Sequence, residues 1–238
     1  MKEFWETLED FRARTESFIH TSLPAGGTLE THPNLTRKVD GEGHLLPFGG
    51  STVVYPLPAE ARRSIRSLQD ALYEGCGDLL AQPLDQETFH ITLHDLVSGP
   101  PSPQLEEQVR LVQPSALACV AELRGQDAPL RLVSTVLFNM VNTSMVLGFA
   151  PADEESCARL MEYYQRFQRV VELHYPLTPH VTVAYFKPGR YGPAQIARLQ
   201  AAVDLAAAQP PVSLALFGAM VEYQRFSSMG HYWNGMDE

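Results

Sequence analysis

The segment Thr88-Phe89-His90-Ile91-Thr92-Leu93 returns 90 positions later as Thr178-Pro179-His180-Val181-Thr182-Val183. In both, β-branched and apolar residues alternate with polar ones at the two-residue period of a half-buried strand. On such a strand His90 and Thr92 share one face, roughly 6.5–7 Å apart, and His180 and Thr182 do the same. A single His-x-Thr among eight histidines carries little weight. Two copies on strand-like runs, at matching places in the chain, constrain the fold. They point to a duplicated unit in which the two strands can face one another. The competing reading is two satisfied histidines on separate sheet faces.

The flanking pattern supports duplication. Residues 52–57 read as a strand ending at Pro56, and 59–80 as a helix with Ile65, Leu68, Leu72 and Leu79 on one side. The first motif strand follows at 88–94, then a helix over 103–123 and a strand over 130–140. The order then restarts. A strand at 144–149 is closed by Pro151, a helix runs over 153–173, and the second motif strand covers 180–186. A helix at 193–207, a strand at 212–217 and a closing strand or hairpin over 223–233 complete it. Val54 precedes His90 by 36 positions and Val146 precedes His180 by 34. Equivalent strands of a repeated unit approach across a pseudo-two-fold axis, so distant motifs can share one hollow. The expected fold is α/β (α+β): two similar lobes, mostly antiparallel sheet inside and helices outside, with a central cleft carrying the two His-x-Thr strands. The expected division is an N-terminal helix and extended arm over 1–51 and a bilobal domain over 52–238. Its lobes are approximately 52–140 and 141–238, with exchange of strands between them left open.

Ahead of this unit, Phe4, Leu8, Phe11 and Phe18 mark an amphipathic helix over 3–19. Residues 20–51 are rich in Gly, Pro and Thr, long enough for a functional arm at the mouth of a site. The adjacent bases Arg37 and Lys38 lie in it.

A formal charge of −10 disfavours a long nucleic-acid duplex, which requires a broad basic surface. A small nucleotide or an RNA end needs only a few local cations. The opening residues include acids and lack the apolar core of a signal peptide, and no run of eighteen apolar residues suggests a membrane span. The three scattered cysteines read as reduced. Cytoplasm is the expected compartment.

Paired His-x-Thr strands in a duplicated α/β unit resemble the two-histidine (2H) phosphoesterase superfamily, which includes RNA ligase-like cyclic nucleotide phosphodiesterases. The resemblance covers residues 50–235. Gly43 to Thr52, with Val53-Val54 and the 89–93 motif, further resembles an uncharacterised branch of that superfamily. The resemblance implies a metal-independent phosphodiesterase, without cofactor, acting on a 2′,3′-cyclic phosphate or related diester of a small nucleotide or RNA end. The residues it carries over as catalytic are His90, Thr92, His180 and Thr182.

Their chemistry suits that role. Hydrolysis of a cyclic diester needs a base for water and an acid for the departing ribose oxygen, and imidazole serves both near neutrality. Threonine hydroxyls would donate to the non-bridging oxygens. The symmetry leaves open which histidine is the acid. Lys187 and Arg190, with Arg37 and Lys38, either collect the anionic substrate or are solvated loop charges. Tyr185 either stacks on a base or is core. His94 shares the period-two face of His90, and His90-x-x-x-His94-Asp95 invites a metal reading. Histidines four apart on a strand lie roughly 13 Å apart, too far to share one ion. The alternative function is a nucleotide-binding or sensing module that uses the same cleft without turnover.

Overall fold

The computed structural model describes residues 4–20 and 23–235. Glu3, the expected start of the first helix, and the side chains of Phe18 and His20 lie outside the described residues.

The chain runs α1 (Leu8–His20), β1 (Leu29–Glu30), β2 (Gly49–Pro56), α2 (Ala59–Cys76), β3 (His90–Gly99), α3 (Pro103–Arg124), β4 (Leu130–Met140) and β5 (Ser144–Pro151). It continues through α4 (Glu154–Gln168), β6 (His180–Tyr185), β7 (Arg190–Tyr191), α5 (Pro193–Ala207), β8 (Ser213–Leu216), β9 (Glu222–Ser228) and β10 (His231–Asn234). Local chemistry sets several boundaries. The Ser102 hydroxyl caps α3 by accepting from Leu105 N, and the Asp153 carboxylate caps α4 by accepting from Ser156 N. Proline opens α3 and α5 at a position whose N–H would lack a helical partner. The helix expected to reach 173 stops at Gln168. There the side chain turns back, its Oε1 accepting from Leu173 N and its Nε2 donating to Leu173 O.

Two four-stranded sheets carry the architecture, in the orders β10-β9-β2-β3 and β8-β4-β5-β6, with every pair antiparallel. The orders superpose strand for strand. β2 corresponds to β5, β3 to β6, β9 to β4 and β10 to β8, so the duplicated α+β fold is realised with strands exchanged between halves. β4 joins the second sheet and the C-terminal hairpin joins the first. The equivalent of β4 is therefore β9, and not the 212–217 strand that the linear repeat suggests. Val54 lies opposite Thr92 and Val146 opposite Thr182, so the two halves share one register at their motifs.

β2 and β5 are buried along almost their whole length, because the sheets are covered on both faces. β3 and β6 instead alternate buried and half-buried residues at their starts. Each is the edge strand of its sheet, and the two edges meet to form the cleft. One continuous core joins both sheets and the helices, with Ile65 and Leu72 of α2 and Leu160 and Phe167 of α4 at its centre. Phe4, Phe11, Leu35 and Val39 of the N-terminal segment are buried in the same core.

Candidate functional site

His90 and His180 open β3 and β6 and line one cavity of about 710 Å³, together with Thr92 and Thr182. Their surroundings match atom for atom. His90 Nδ1 lies 2.7 Å from the carbonyl oxygen of Thr88, and His180 Nδ1 lies 2.7 Å from that of Thr178. A carbonyl oxygen only accepts, so each ring carries its proton on Nδ1. Nε2 is left as the lone-pair nitrogen for the cavity. Burial lowers the pKa of both rings, His90 to about 4, against the opposing effect of the carbonyl bonds. A protonated His180 would lower His90 further. Both are neutral at pH 7. The Tyr232 ring meets His90 edge-on, with centroids 4.9 Å apart.

Each motif strand breaks its two-residue period directly after the threonine. Val53 pairs with His94 and Val54 with Thr92, so Leu93 is an extra residue on β3. Met145 pairs with Ala184 and Val146 with Thr182, so Val183 is an extra residue on β6. These are matching β-bulges. Cross-strand partners share a face, and Val53 and Val54 point to opposite faces. His94 therefore pairs on the opposite face from Thr92, against the period-two expectation, although it still contributes to the cavity lining. It is 1% exposed and packs on Tyr164 and Phe167 at ring distances of 5.0 and 6.0 Å. The next residue on the cleft face is instead Asp95, opposite Thr52, and on β6 it is Tyr185, opposite Ser144. Two equivalent rows result, His90–Thr92–Asp95 and His180–Thr182–Tyr185.

Side chains hold the bulges. Gln69 of α2, 0% exposed, donates to the carbonyl of the extra residue Val183 at 2.9 Å and to Leu84 O at 3.1 Å. On the other strand the Thr52 hydroxyl donates to His94 O at 3.1 Å.

The arm delivers Lys38 to the cavity wall. Its Nζ lies 5.0 Å from the Phe48 ring centre and 6.0 Å from that of Tyr185. Burial lowers the Lys38 pKa, and the charge of Asp95 opposes that effect. Tyr185 lines the cavity, and burial raises its hydroxyl far above the ordinary phenol range. Arg37, Lys187 and Arg190 are not among the lining residues. Arg37 stacks over Phe48 at 5.5 Å. Lys187 and Arg190 lie where the chain leaves β6. There Lys187 N bonds Leu79 O, and Arg190 pairs with Glu30 in the small β1–β7 ribbon.

Tyr175, Tyr232 and Val141 are lining residues beyond those the sequence points to, and Asp95 lines the cavity outside the metal reading in which the sequence placed it. Val141 and Asn142 form the β4–β5 turn at φ values of 43° and 59°. A β-branched residue at positive φ is strained, and Val141 is 60% exposed at the cavity rim. Among the described residues no group of three or more His, Cys, Asp or Glu side chains is arranged to hold a metal ion. No helix of the described residues is long and apolar enough to cross a membrane.

No family model matches the sequence, and no curated protein matches it. Among solved structures, the chain is similar to the conserved protein of unknown function ATU0111 from Agrobacterium tumefaciens str. C58. The TM-score is 0.63 at 20% identity, over 87% of this chain and 92% of that one. TT0787 of Thermus thermophilus is matched at a TM-score of 0.47 and 17% identity, over 78% of this chain and 94% of that one. E. coli LigT complexed with 3′-AMP is matched at 0.47 and 16%, over 79% and 95%. The likeness to ATU0111 shows a shared fold, and that fold is the duplicated α+β architecture which the resemblance to the 2H phosphoesterases implies.

Proposed function

We propose that this protein is a phosphodiesterase that hydrolyses a 2′,3′-cyclic phosphate, or a related diester of a small nucleotide or RNA end, by two-histidine acid/base catalysis. The observation that carries the reading is the matched pair of imidazoles. Each is held by Nδ1–H on the carbonyl two residues before it, which leaves Nε2 as the lone-pair nitrogen, and both rings line one cavity.

With the cyclic phosphate between the rings, the neutral imidazole takes a proton from water at Nε2 as the oxygen attacks phosphorus. The opposite imidazole, protonated at Nε2, gives its proton to the ribose oxygen as the P–O bond breaks. One proton is taken and one given, and the product is a ribose phosphomonoester. The Thr92 and Thr182 hydroxyls donate to the non-bridging oxygens, where charge grows in the transition state. Lys38 supplies a positive charge for the anion, and Tyr185 and Tyr232 present flat apolar surface to the nucleoside. Because burial depresses both histidines, one must be recharged for the reaction. The bound phosphate anion favours that protonated form.

The test is turnover of the four 2′,3′-cyclic nucleotides followed by phosphorus NMR, which also reports which oxygen leaves. Conversion to a single monoester, abolished in His90→Ala and His180→Ala, supports the proposal. Tight binding with no turnover in any of the four would leave a nucleotide-binding module.

A further inference from the structure

The two rows across the cleft agree in their first two members and differ in the third. His90 and Thr92 are followed by Asp95, and His180 and Thr182 by Tyr185. A nearly two-fold hollow thus carries a carboxyl group on one side only. Asp95 lines the cavity with both imidazoles and with Lys38. It lies two ladder steps beyond Thr92, roughly 7 Å along the sheet. The carboxylate is exposed toward the cavity and is held by one hydrogen bond. Its Oδ2 accepts from the Tyr175 hydroxyl at 2.9 Å, and the Tyr175 carbonyl accepts from the Tyr164 hydroxyl at 2.5 Å. Among the described residues Asp95 makes no salt bridge, so its charge is not cancelled by contact.

A carboxylate beside a phosphate site opposes every anion, and opposes a dianion twice as strongly as a monoanion. A phosphodiester carries one negative charge. A phosphomonoester, with a second ionisation near pH 6, carries close to two at neutral pH. With both histidines neutral, Lys38 and Asp95 leave the cavity formally uncharged. Without Asp95 it would be cationic and would hold the monoester best.

We infer that Asp95 is a specificity-determining residue, which makes the site accept the singly charged diester and release the doubly charged monoester. The inference rests on the phosphodiesterase reading, since the two ligands are that reaction's substrate and product. Lys38 alone attracts both ligands and the dianion more strongly, and the Asp95 carboxylate offsets the preference that Lys38 would create.

The test compares wild type with the near-isosteric Asp95→Asn. Calorimetry at pH 7.5 and low salt would use a 2′-deoxynucleoside 3′-phosphate and its methyl ester, which differ by one negative charge and cannot cyclise. In D95N the monoester should gain about tenfold more affinity than the ester, and product inhibition of cyclic-nucleotide turnover should rise in step. Equal changes for both ligands, or none, overturn the inference. If D95N does not fold, as judged by circular dichroism, the wild-type preference is measured between about 0.02 M and about 0.5 M salt. It should narrow as screening shortens the reach of the charge, and a constant preference overturns the inference. Wild-type turnover of a 2′,3′-cyclic nucleotide is recorded alongside. Turnover with no charge discrimination removes only the role of Asp95, whereas a wild type that neither turns over nor binds removes the phosphodiesterase reading as well.

Discussion

Asp95 on β3 stands at the place that Tyr185 holds on β6, each brought to the cleft face by an extra residue inserted directly after the motif threonine. The repeat in three dimensions is therefore His, Thr and a third side chain three positions beyond the threonine. A carboxylate in one half and a phenol in the other make the two halves chemically unequal.

The depressed histidines set the pH dependence of activity. kcat/KM follows the free protein's acid and base, and both rings lie below the ordinary 6.5, with His90 at about 4. A bell with its maximum on the acid side of pH 6.5 is expected for kcat/KM on a 2′,3′-cyclic nucleotide. An optimum above pH 8 would show that the rings are not the titrating pair.

The same shifts govern stability. For His90, His94 and His180 the folded pKa is lower than the unfolded one, so the unfolded chain binds more protons once pH falls below about 6.5. Their contribution is complete above that value and declines as pH falls toward about 4, where His90 and His94 titrate in the fold. Thermal unfolding between pH 7 and pH 4.5 should show a falling Tm. His94→Phe, which fits the aromatic pocket of Tyr164 and Phe167, should flatten part of the slope.

Lys38 and the two bases after β6 should separate cleanly. Lys38→Met removes a cation from the cavity wall and should raise KM by roughly tenfold or more, with a smaller effect on kcat. Lys187→Ala and Arg190→Ala lie outside the lining and should change KM by less than about threefold. Steady-state kinetics of the three variants decides between the cavity wall and the outer ribbon as the source of phosphate attraction.

Gly148 pairs with His180 across β5 and β6. A methyl group there would come within 2.7 Å of Thr135 Oγ1 and 2.9 Å of the Phe138 ring. Gly148→Ala should displace one of these groups or the His180 strand, at about 1–3 kcal/mol of stability. If His180 is held by this packing, kcat should fall even at temperatures where the variant stays folded. Unchanged kcat with lowered Tm would mean that the strain is absorbed on the β4 side.

The sequence was most legible where one period governs a segment. α5 begins and ends at the expected residues and β6 begins at His180 as expected, whereas β3 begins at His90, two residues after its expected start, because Gln86–Thr88 form a 3-10 turn. It was least legible where backbone hydrogen bonding departs from period. The Leu93 and Val183 bulges leave no compositional mark, so parity put His94 on the face of His90 and Thr92, and Asp95 entered only as part of a metal reading. Pairing is also long-range. The likeness between β4 and β9 depends on which strand β5 and β2 select, and that choice is made by the packing of the whole sheet. Tyr232 reaches His90 only because the C-terminal hairpin joins the first sheet. Lys38 was noticed for its charge, but its position on the cavity wall is set by the burial of Leu35 and Val39 on either side of it.

The two threonines test transition-state stabilisation apart from acid/base chemistry. Thr92→Val and Thr182→Val keep shape and lose a donor, and each should lower kcat by about 10²–10³-fold with KM little changed. A loss confined to KM would assign the hydroxyls to ground-state binding.

The central claim is that two imidazoles, one neutral and one protonated, act on one phosphorus from opposite sides. Its most direct test is the rate of 2′,3′-cyclic nucleotide hydrolysis, in the presence of EDTA, by wild type, His90→Ala, His180→Ala and the double variant. The account predicts chelator-resistant turnover in wild type and a loss of about 10²–10⁴-fold in either single variant, with little further loss in the double, because acid and base work as a unit. Full turnover by the double variant would contradict it.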